Sequence, residues 1–290
     1  MNTKTLIQAI TMELDRLGFP VVSNPADVTV PSRTIRILLG GSDSNTKLRK
    51  SLGYGFQTTG LSLEPHKIAG FGNVCAFASP GCIGACVGHQ GLGKVFPNIE
   101  FARIAKRVVW SLARDWFLET LAEELGKAQR KAARAGDRLA VRLNMFSDIP
   151  WEKYGIIDQF PNIEFYDYTK NLKRAGQLRQ NYWLTFSRDE RPSSHDNSIR
   201  TLQAGNNVAV AFDTGRVGNR VSMGACPADF PKTWYGFPVI DGDTTDLRFD
   251  DPRGRTRGRV VGLRLKSSSW DERQGAIDSG FAISQNRKVI

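Results

Sequence analysis

The spacing of apolar positions changes character near residue 136. Between 97 and 135, Phe101, Ile104, Val108, Leu112 and Trp116 recur at intervals of three and four, the period of a helix with one buried face. Pro97 suits a first helical turn and Gly136 the position just past the end, so the pattern predicts one long helix there. The opening stretch MNTKTLIQAITMELDRLGF has the same amphipathic rhythm. It is followed by a loop-rich segment with Pro20, Pro25, Pro31 and GGSDSN. Beyond 136 the apolar runs become short and rich in β-formers: LAVRLN (139–144), IEFYDYT (163–169), YWLTFS (182–187), NVAVAF (207–212), FPVIDG (237–242) and RVVGLRL (259–265), with TTGLSL (58–63) ahead of the long helix. Starts 19 to 30 residues apart leave room for a crossover with a short helix, which argues for parallel βαβ units. The expected fold is α/β, a partial (β/α)6-type parallel barrel, with a doubly wound open sheet as the alternative. Its parts would be an N-terminal helix and basic loop extension (1–57), the barrel (58–266) and a C-terminal tail (267–290).

Composition narrows the setting. An apolar fraction of 40% over 290 residues is enough for a sizeable core. No run reaches the roughly 18 apolar residues that span a bilayer, and the N-terminus lacks the apolar centre of a signal peptide. The expected location is the cytoplasm. The net charge of +11 favours polyanionic partners. The cations gather at Lys47, Arg49 and Lys50, at 127–138, and at Arg253, Arg255, Arg257 and Arg259. Any one cluster alone reads as a solvated face. Together they point to a nucleic-acid partner, DNA or RNA, with Lys47, Arg49, Lys50, Arg253, Arg255 and Arg257 as candidate contacts. Tyr54, Phe56, Phe71 and Phe77 flank two of the loops and are candidates to stack on a base. Trp110, Trp116 and Trp183 read as core.

Three of the four cysteines fall in one short stretch, CAFASPGCIGACV (75–87), whose Pro80, Gly81, Gly84 and Gly88 mark it as a loop. In a reducing compartment, clustered thiols more often mean metal or catalysis than disulfides. Cys75, Cys82 and Cys86 form a C-x6-C-x3-C pattern. Thiolates suit zinc and iron–sulfur clusters alike. His89 would complete a zinc site of three cysteines and one histidine, and the distant Cys226 one of four cysteines. Three thiolates alone would hold a 4Fe–4S cluster with one open iron.

In barrels and open parallel sheets the chemistry sits at the carboxyl ends of the strands. Asn144, Asp148, Lys170, Ser187, Asp241 and Asp243 follow the expected strands there. A carboxylate such as Asp241 or Asp243 suits ribose hydroxyls, although DGDTTD (241–246) is also the composition of Asx-turns. His66, in LEPHKIAG, lies nine residues before Cys75 and is a candidate acid or base. His195 sits in a polar loop. GLGKVF (91–96) lacks the Walker spacing.

A three-cysteine loop after the first strand of a partial barrel resembles the arrangement of radical S-adenosylmethionine (SAM) enzymes. The spacing differs from the C-x3-C-x2-C common in those enzymes, and NMFSD (144–148) stands where they usually carry a glycine-rich acidic motif. The blocks SNTKLRKSLGYGFQTTGLSLEPH, GNVCAFASPGCIGACV, RLNMFSDIPWE, FYDYTK, LTFS, NVAVAF and PVIDGDTTDLRFDDP, spread over residues 44–266, also resemble a family of phage and prophage proteins with such a loop. The radical-SAM likeness implies that Cys75, Cys82 and Cys86 are cluster ligands. It implies that SAM meets the open iron through its amino and carboxylate groups, with Asn144 or Asp148 near the methionine ammonium.

Overall fold

In a computed structural model, the described residues are 3–16, 37–41, 46–51, 53–67, 70–89, 97–175, 180–217, 220–221, 230–252 and 256–284. They form two compact units, one of residues 1–76 and 92–165 and the other of 77–91 and 166–290.

In the first unit, helix α1 (Thr3–Arg16) packs on α4 (Pro97–Leu112). The short helix α2 (Thr46–Arg49) lies beside strand β2 (Phe56–Leu61). Strand β1 (Leu39–Gly41) pairs antiparallel with β2. β2 then pairs in parallel with β3 (Arg138–Arg142), and β3 with the start of β4 (Glu164–Thr169). Helix α5 (Arg114–Arg134) covers β2 and β3. Its Glu124 carboxylate accepts the N–H groups of Leu38 and Leu39 at 2.8 to 3.0 Å, satisfying donors beside the edge strand.

The single long helix expected over 97–135 is two helices, broken at Ala113, whose backbone (φ −140°, ψ 56°) is not helical. The break shifts the phase of the apolar stripe. Ile104 and Val108 are buried from α4, Leu112 is 43% exposed, and Phe117, Leu121 and Leu125 continue the buried face from α5. Trp110 ends α4 inside an aromatic cluster, with Phe117, Trp151 and Tyr154 ring centroids at 5.0 to 5.4 Å.

The second unit carries helix α3 (Pro80–Gly84) and the later residues of β4, which lie next to β5 (Tyr182–Ser187). β5 pairs in parallel with β6 (Val208–Asp213), followed by β11 (Val260–Arg264), β10 (Phe237–Asp241) and the short antiparallel β9 (Thr233–Trp234). A separate hairpin joins β7 (Arg216–Val217) to β8 (Arg220–Val221), and β12 (Ile283–Ser284) adds to β6. Helices α6 (Leu172–Ala175), α7 (Pro192–Gln203) and α8 (Trp270–Asp278) complete the unit. Phe186, Leu202, Val208, Val210, Phe212, Trp234, Phe237 and Val260 form its core.

The fold is therefore mixed α/β with mostly parallel strands, taken in chain order from β2 to β6. Among the described residues, neither the strands of the first unit (β1, β2, β3 and the start of β4) nor those of the second (the rest of β4, then β5, β6, β11, β10 and β9) close into the expected ring. The order β6, β11, β10 departs from a strictly sequential winding. β10 carries Pro238, which cannot donate to a ladder and favours a peripheral place. β11 begins Val-Val-Gly with all three buried and takes the central position.

Two glycines separate packing from propensity. A Cβ on Gly258 would lie 1.9 Å from the backbone oxygen of Asn206, where neither partner can give way. Gly275, inside α8, has open space around its missing Cβ. Gly258→Ala should lower the thermal midpoint severely or prevent folding, whereas Gly275→Ala should stabilise by roughly 0.5–1 kcal/mol. Differential scanning calorimetry on both variants checks the contrast, and a neutral Gly258→Ala would contradict the close approach.

Candidate metal and ligand site

Because parallel neighbours place their following loops at one edge, the segments after β2 and β3 meet in the first unit. The N–H of Met145 donates to the Leu61 carbonyl, and that of Asp148 to the Val74 carbonyl at 2.8 Å. Between them, Cys75 Sγ accepts the N–H of His66 at 3.4 Å and lies 3.5 Å from the Phe146 carbonyl oxygen. His66 takes a left-handed backbone conformation (φ +59°) to present that amide. The Arg107 guanidinium lies within electrostatic range of the Cys75 sulfur. Burial, and then Arg114, lower its pKa to about 10 against that attraction. A nearby cation and an N–H donor both suit a thiolate ligand.

Asn144 is the fastener of this loop. Its Oδ1 accepts from Ser147 Oγ (2.8 Å), the Ile149 N–H (2.9 Å) and Trp151 Nε1 (3.1 Å), and its Nδ2 donates to the Ile149 carbonyl (3.0 Å). Through these bonds the buried amide, the expected neighbour of a methionine ammonium, folds the NMFSDIPW segment on itself. Asp148 is half-buried and its backbone is tied to the segment carrying Cys75.

Glu64, two residues before His66, is fully buried 3.6 Å from Arg103 Nε. Arg103 in turn stacks over Phe146 at 5.1 Å. Burial raises the Glu64 carboxyl to about 7 despite Arg103.

In the second unit, the segment after β5 organises the other two cysteines. Ser79 Oγ donates to Glu190 Oε2 at 2.6 Å, and the Gly81 N–H donates to Glu190 Oε1 at 2.8 Å. Ser79 also caps α3, its Oγ accepting the Cys82 N–H. A Cβ on residue 81 would sit 2.6 Å from the Glu190 carboxylate, so this contact requires glycine. Arg191 Nη2 donates to the Phe77 carbonyl at 2.8 Å and lies within electrostatic range of Cys82. Arg188 Nη1 binds the carbonyls of Gly280 and Phe281. Cys86 follows the end of α3, and the neighbouring Ala85 packs with Leu265, Ala276 and Ala282.

Lys170 and Ser187 do come together at the carboxyl ends of β4 and β5. Lys170 Nζ donates to Ser187 Oγ at 3.3 Å and to the carbonyls of Ser187 and Arg188. Asp241 and Asp243 also meet, but around Arg264. Its guanidinium grips Asp241 at 2.8 and 2.9 Å, and its backbone N–H donates to Asp243 at 2.9 Å. The Asp243 N–H closes an Asx-turn on Asp241 at 2.8 Å. The turn and Arg264 thus engage both of the carboxylates expected to suit ribose hydroxyls.

Among the nucleic-acid candidates, Lys47 and Arg49 lie on α2 and Lys50 follows it, with Arg49 and Lys50 exposed. Arg257 is exposed beside Phe237. Arg253, Arg255 and Cys226 lie outside the described residues, and His89 ends a short 3-10 turn (Val87–His89).

Cys75, Cys82 and Cys86 are half-buried thiols rather than disulfides. The donor chemistry suits zinc or an iron–sulfur cluster. Among the described residues, however, no three His, Cys, Asp or Glu side chains are gathered as a metal ion requires. Nor is any described helix long and apolar enough to cross a membrane.

The residues singled out by structure alone are Glu64, Glu190 and Arg191. SRDERP reads locally as a solvated turn before a helix, and nothing near Glu190 signals a partner more than a hundred positions earlier. Glu64 had one cue, a lone acid ending an apolar strand in GLSLEPH.

What fold and loops define is an α/β protein with parallel strands and a three-cysteine segment at their carboxyl ends. The chain belongs to the gene product 88 family, a phage-type family whose model matches residues 37–285. No curated protein and no solved structure matches it.

Two outcomes follow from these contacts. Because the folded Glu64 carboxyl holds its proton to about pH 7, its favourable contribution is complete below the unfolded value of about 4.3 and is lost as pH rises through about 7. Denaturant titrations should show wild type losing stability relative to Glu64→Gln across that window, and parallel curves would refute it. Glu190→Ala, which removes both of these charge-assisted hydrogen bonds, and Gly81→Ala, which displaces the carboxylate, should each raise hydrogen exchange of amides 81–86 by roughly 10-fold or more. Unchanged protection in both variants would show that Glu190 does not hold the turn.

Proposed function

We propose that this protein is a phage iron–sulfur protein of the radical-SAM-like kind, in which Cys75, Cys82 and Cys86 hold a 4Fe–4S cluster and the chain acts on nucleic acid or a nucleotide. The observation that carries this reading is where the cysteine segment starts: in the connection that follows β2, the first of the parallel strands that follow one another in chain order. The three thiols lie within twelve residues of chain, so drawing them onto one centre closes only a short loop, at small entropic cost. Arg107 beside Cys75 and Arg191 beside Cys82 favour anionic sulfur. Asn144, Asp148, Lys170, Ser187, Asp241 and Asp243 are the candidates of this reading for SAM. The net charge of +11 supports a polyanionic partner.

A second reading is a non-catalytic nucleic-acid-binding protein pinned by zinc or a structural cluster, held by three cysteines and a histidine or by four cysteines. It is favoured by the engagement of Asn144, Asp241 and Asp243 in internal contacts. Anaerobic purification followed by spectroscopy and metal assay separates the two. The first reading expects a brown protein with about four irons per chain. It also expects loss of iron in each of Cys75→Ser, Cys82→Ser and Cys86→Ser but not in Cys226→Ser, and calorimetric binding of SAM to the loaded protein. A colourless protein with one zinc overturns the cluster, and a loaded protein without SAM affinity overturns the enzyme.

A further inference from the structure

Strands β9 and β10 are joined by only two residues, Tyr235 and Gly236, both with positive φ (+48° and +76°). Such a turn matches the twist of the strands but favours Asn, Asp or Gly at both positions. A tyrosine there is an outlier, since its Cβ crowds the backbone in the left-handed region. Burial does not explain the choice, because Tyr235 remains 51% exposed. Local turn chemistry does not explain it either, because asparagine would form the same turn with less strain. Strained positions that persist in a well-packed frame are where a ligand is to be sought.

The frame is well packed. The Tyr235 ring is braced by His195 (centroids 4.7 Å apart, 66°) and by Trp234 (4.9 Å, 81°), and those two rings contact each other at 5.4 Å. Trp234 belongs to the core, so the brace is anchored. Burial, and the charge of Arg188, hold His195 below its ordinary pKa, so it stands as a neutral aromatic. On the same turn, Arg257 Nη2 donates to the Gly236 carbonyl at 3.2 Å while its guanidinium covers the Phe237 ring at 4.9 Å. Arg257 and Lys232 are both exposed. A rigid, half-exposed aromatic ring with cations beside it is what unpaired bases and their phosphates bind.

The geometry points to this hairpin tip as a stacking site for single-stranded nucleic acid, with Tyr235 receiving a base, His195 bracing it and Arg257 meeting the backbone. It deepens the nucleic-acid part of the function proposed above and rests on that part, not on the metal. The test is fluorescence anisotropy at low salt with a short labelled oligothymidylate and an abasic oligomer of equal length, which carries the same phosphates without bases. Wild type should prefer the thymidylate. Tyr235→Phe should keep the preference. Tyr235→Ala should weaken thymidylate binding roughly 5- to 100-fold and leave abasic binding unchanged. Tyr235→Gly, which relieves the turn, should fold with a higher midpoint than Tyr235→Ala and bind as weakly. Arg257→Ala should flatten the salt dependence by about 0.7 in log–log slope. Equal binding of both oligomers by wild type, or undiminished thymidylate binding by Tyr235→Ala, overturns the stacking site alone. No binding of either oligomer overturns it together with the nucleic-acid reading, and leaves the iron assay to decide the metal.

Discussion

A parallel neighbour cannot be reached by a tight turn; the chain must cross over and begin again at the same edge. That constraint governs both units of this protein. From β2 to β6 each strand lies beside the next in sequence, so the segments leaving β2 and β3 in the first unit, and β4 and β5 in the second, emerge at carboxyl ends. Cys75 beside Phe146, and Glu190 reaching Ser79 and Gly81, are direct results of it. In the first unit, the segment carrying Cys75 after β2 thus meets the segment that follows β3.

The segments at those ends are held by a few buried or half-buried polar groups. Asn144 fastens one loop with four hydrogen bonds, and the Glu190 carboxylate fastens α3 through a hydroxyl and an amide. Such groups are expensive to bury unsatisfied and so tolerate little change. Other strand-end residues are engaged by neighbours at or near the surface. Arg264 holds Asp241 and Asp243 because strand β11 runs beside β10 and carries its cation to their loop. Glu64 is different in kind: its carboxyl is kept protonated to about neutrality, so a titrating group lies one arginine and one phenylalanine away from Cys75.

Much of the architecture was legible in spacing alone. All seven β-rich runs correspond to strands within a few residues, because buried parallel strands are short continuous apolar stretches bounded by turns. The long helix was legible as a helix but not as two, since the break at Ala113 leaves the three-and-four spacing superficially intact while shifting which side is buried. The small strands β1, β7, β8, β9 and β12 were not legible. With two or three residues each, they carry no period, and their existence depends on the neighbour that pairs with them.

The sequence by itself determined the α/β class, the parallel winding, the basic charge and the grouping of three thiols on one loop, since each follows from composition or from residues close in the chain. Tertiary structure alone decided that β11 rather than β10 lies against β6, that Asn144 turns inward while Arg264 engages the Asp241–Asp243 pair, and that Glu190 grips a turn more than a hundred residues away. The physical reason is common to all three. A hydrogen-bonding group is satisfied by whatever partner packing brings within about 3 Å, and that partner is set by strand order, which no local pattern encodes.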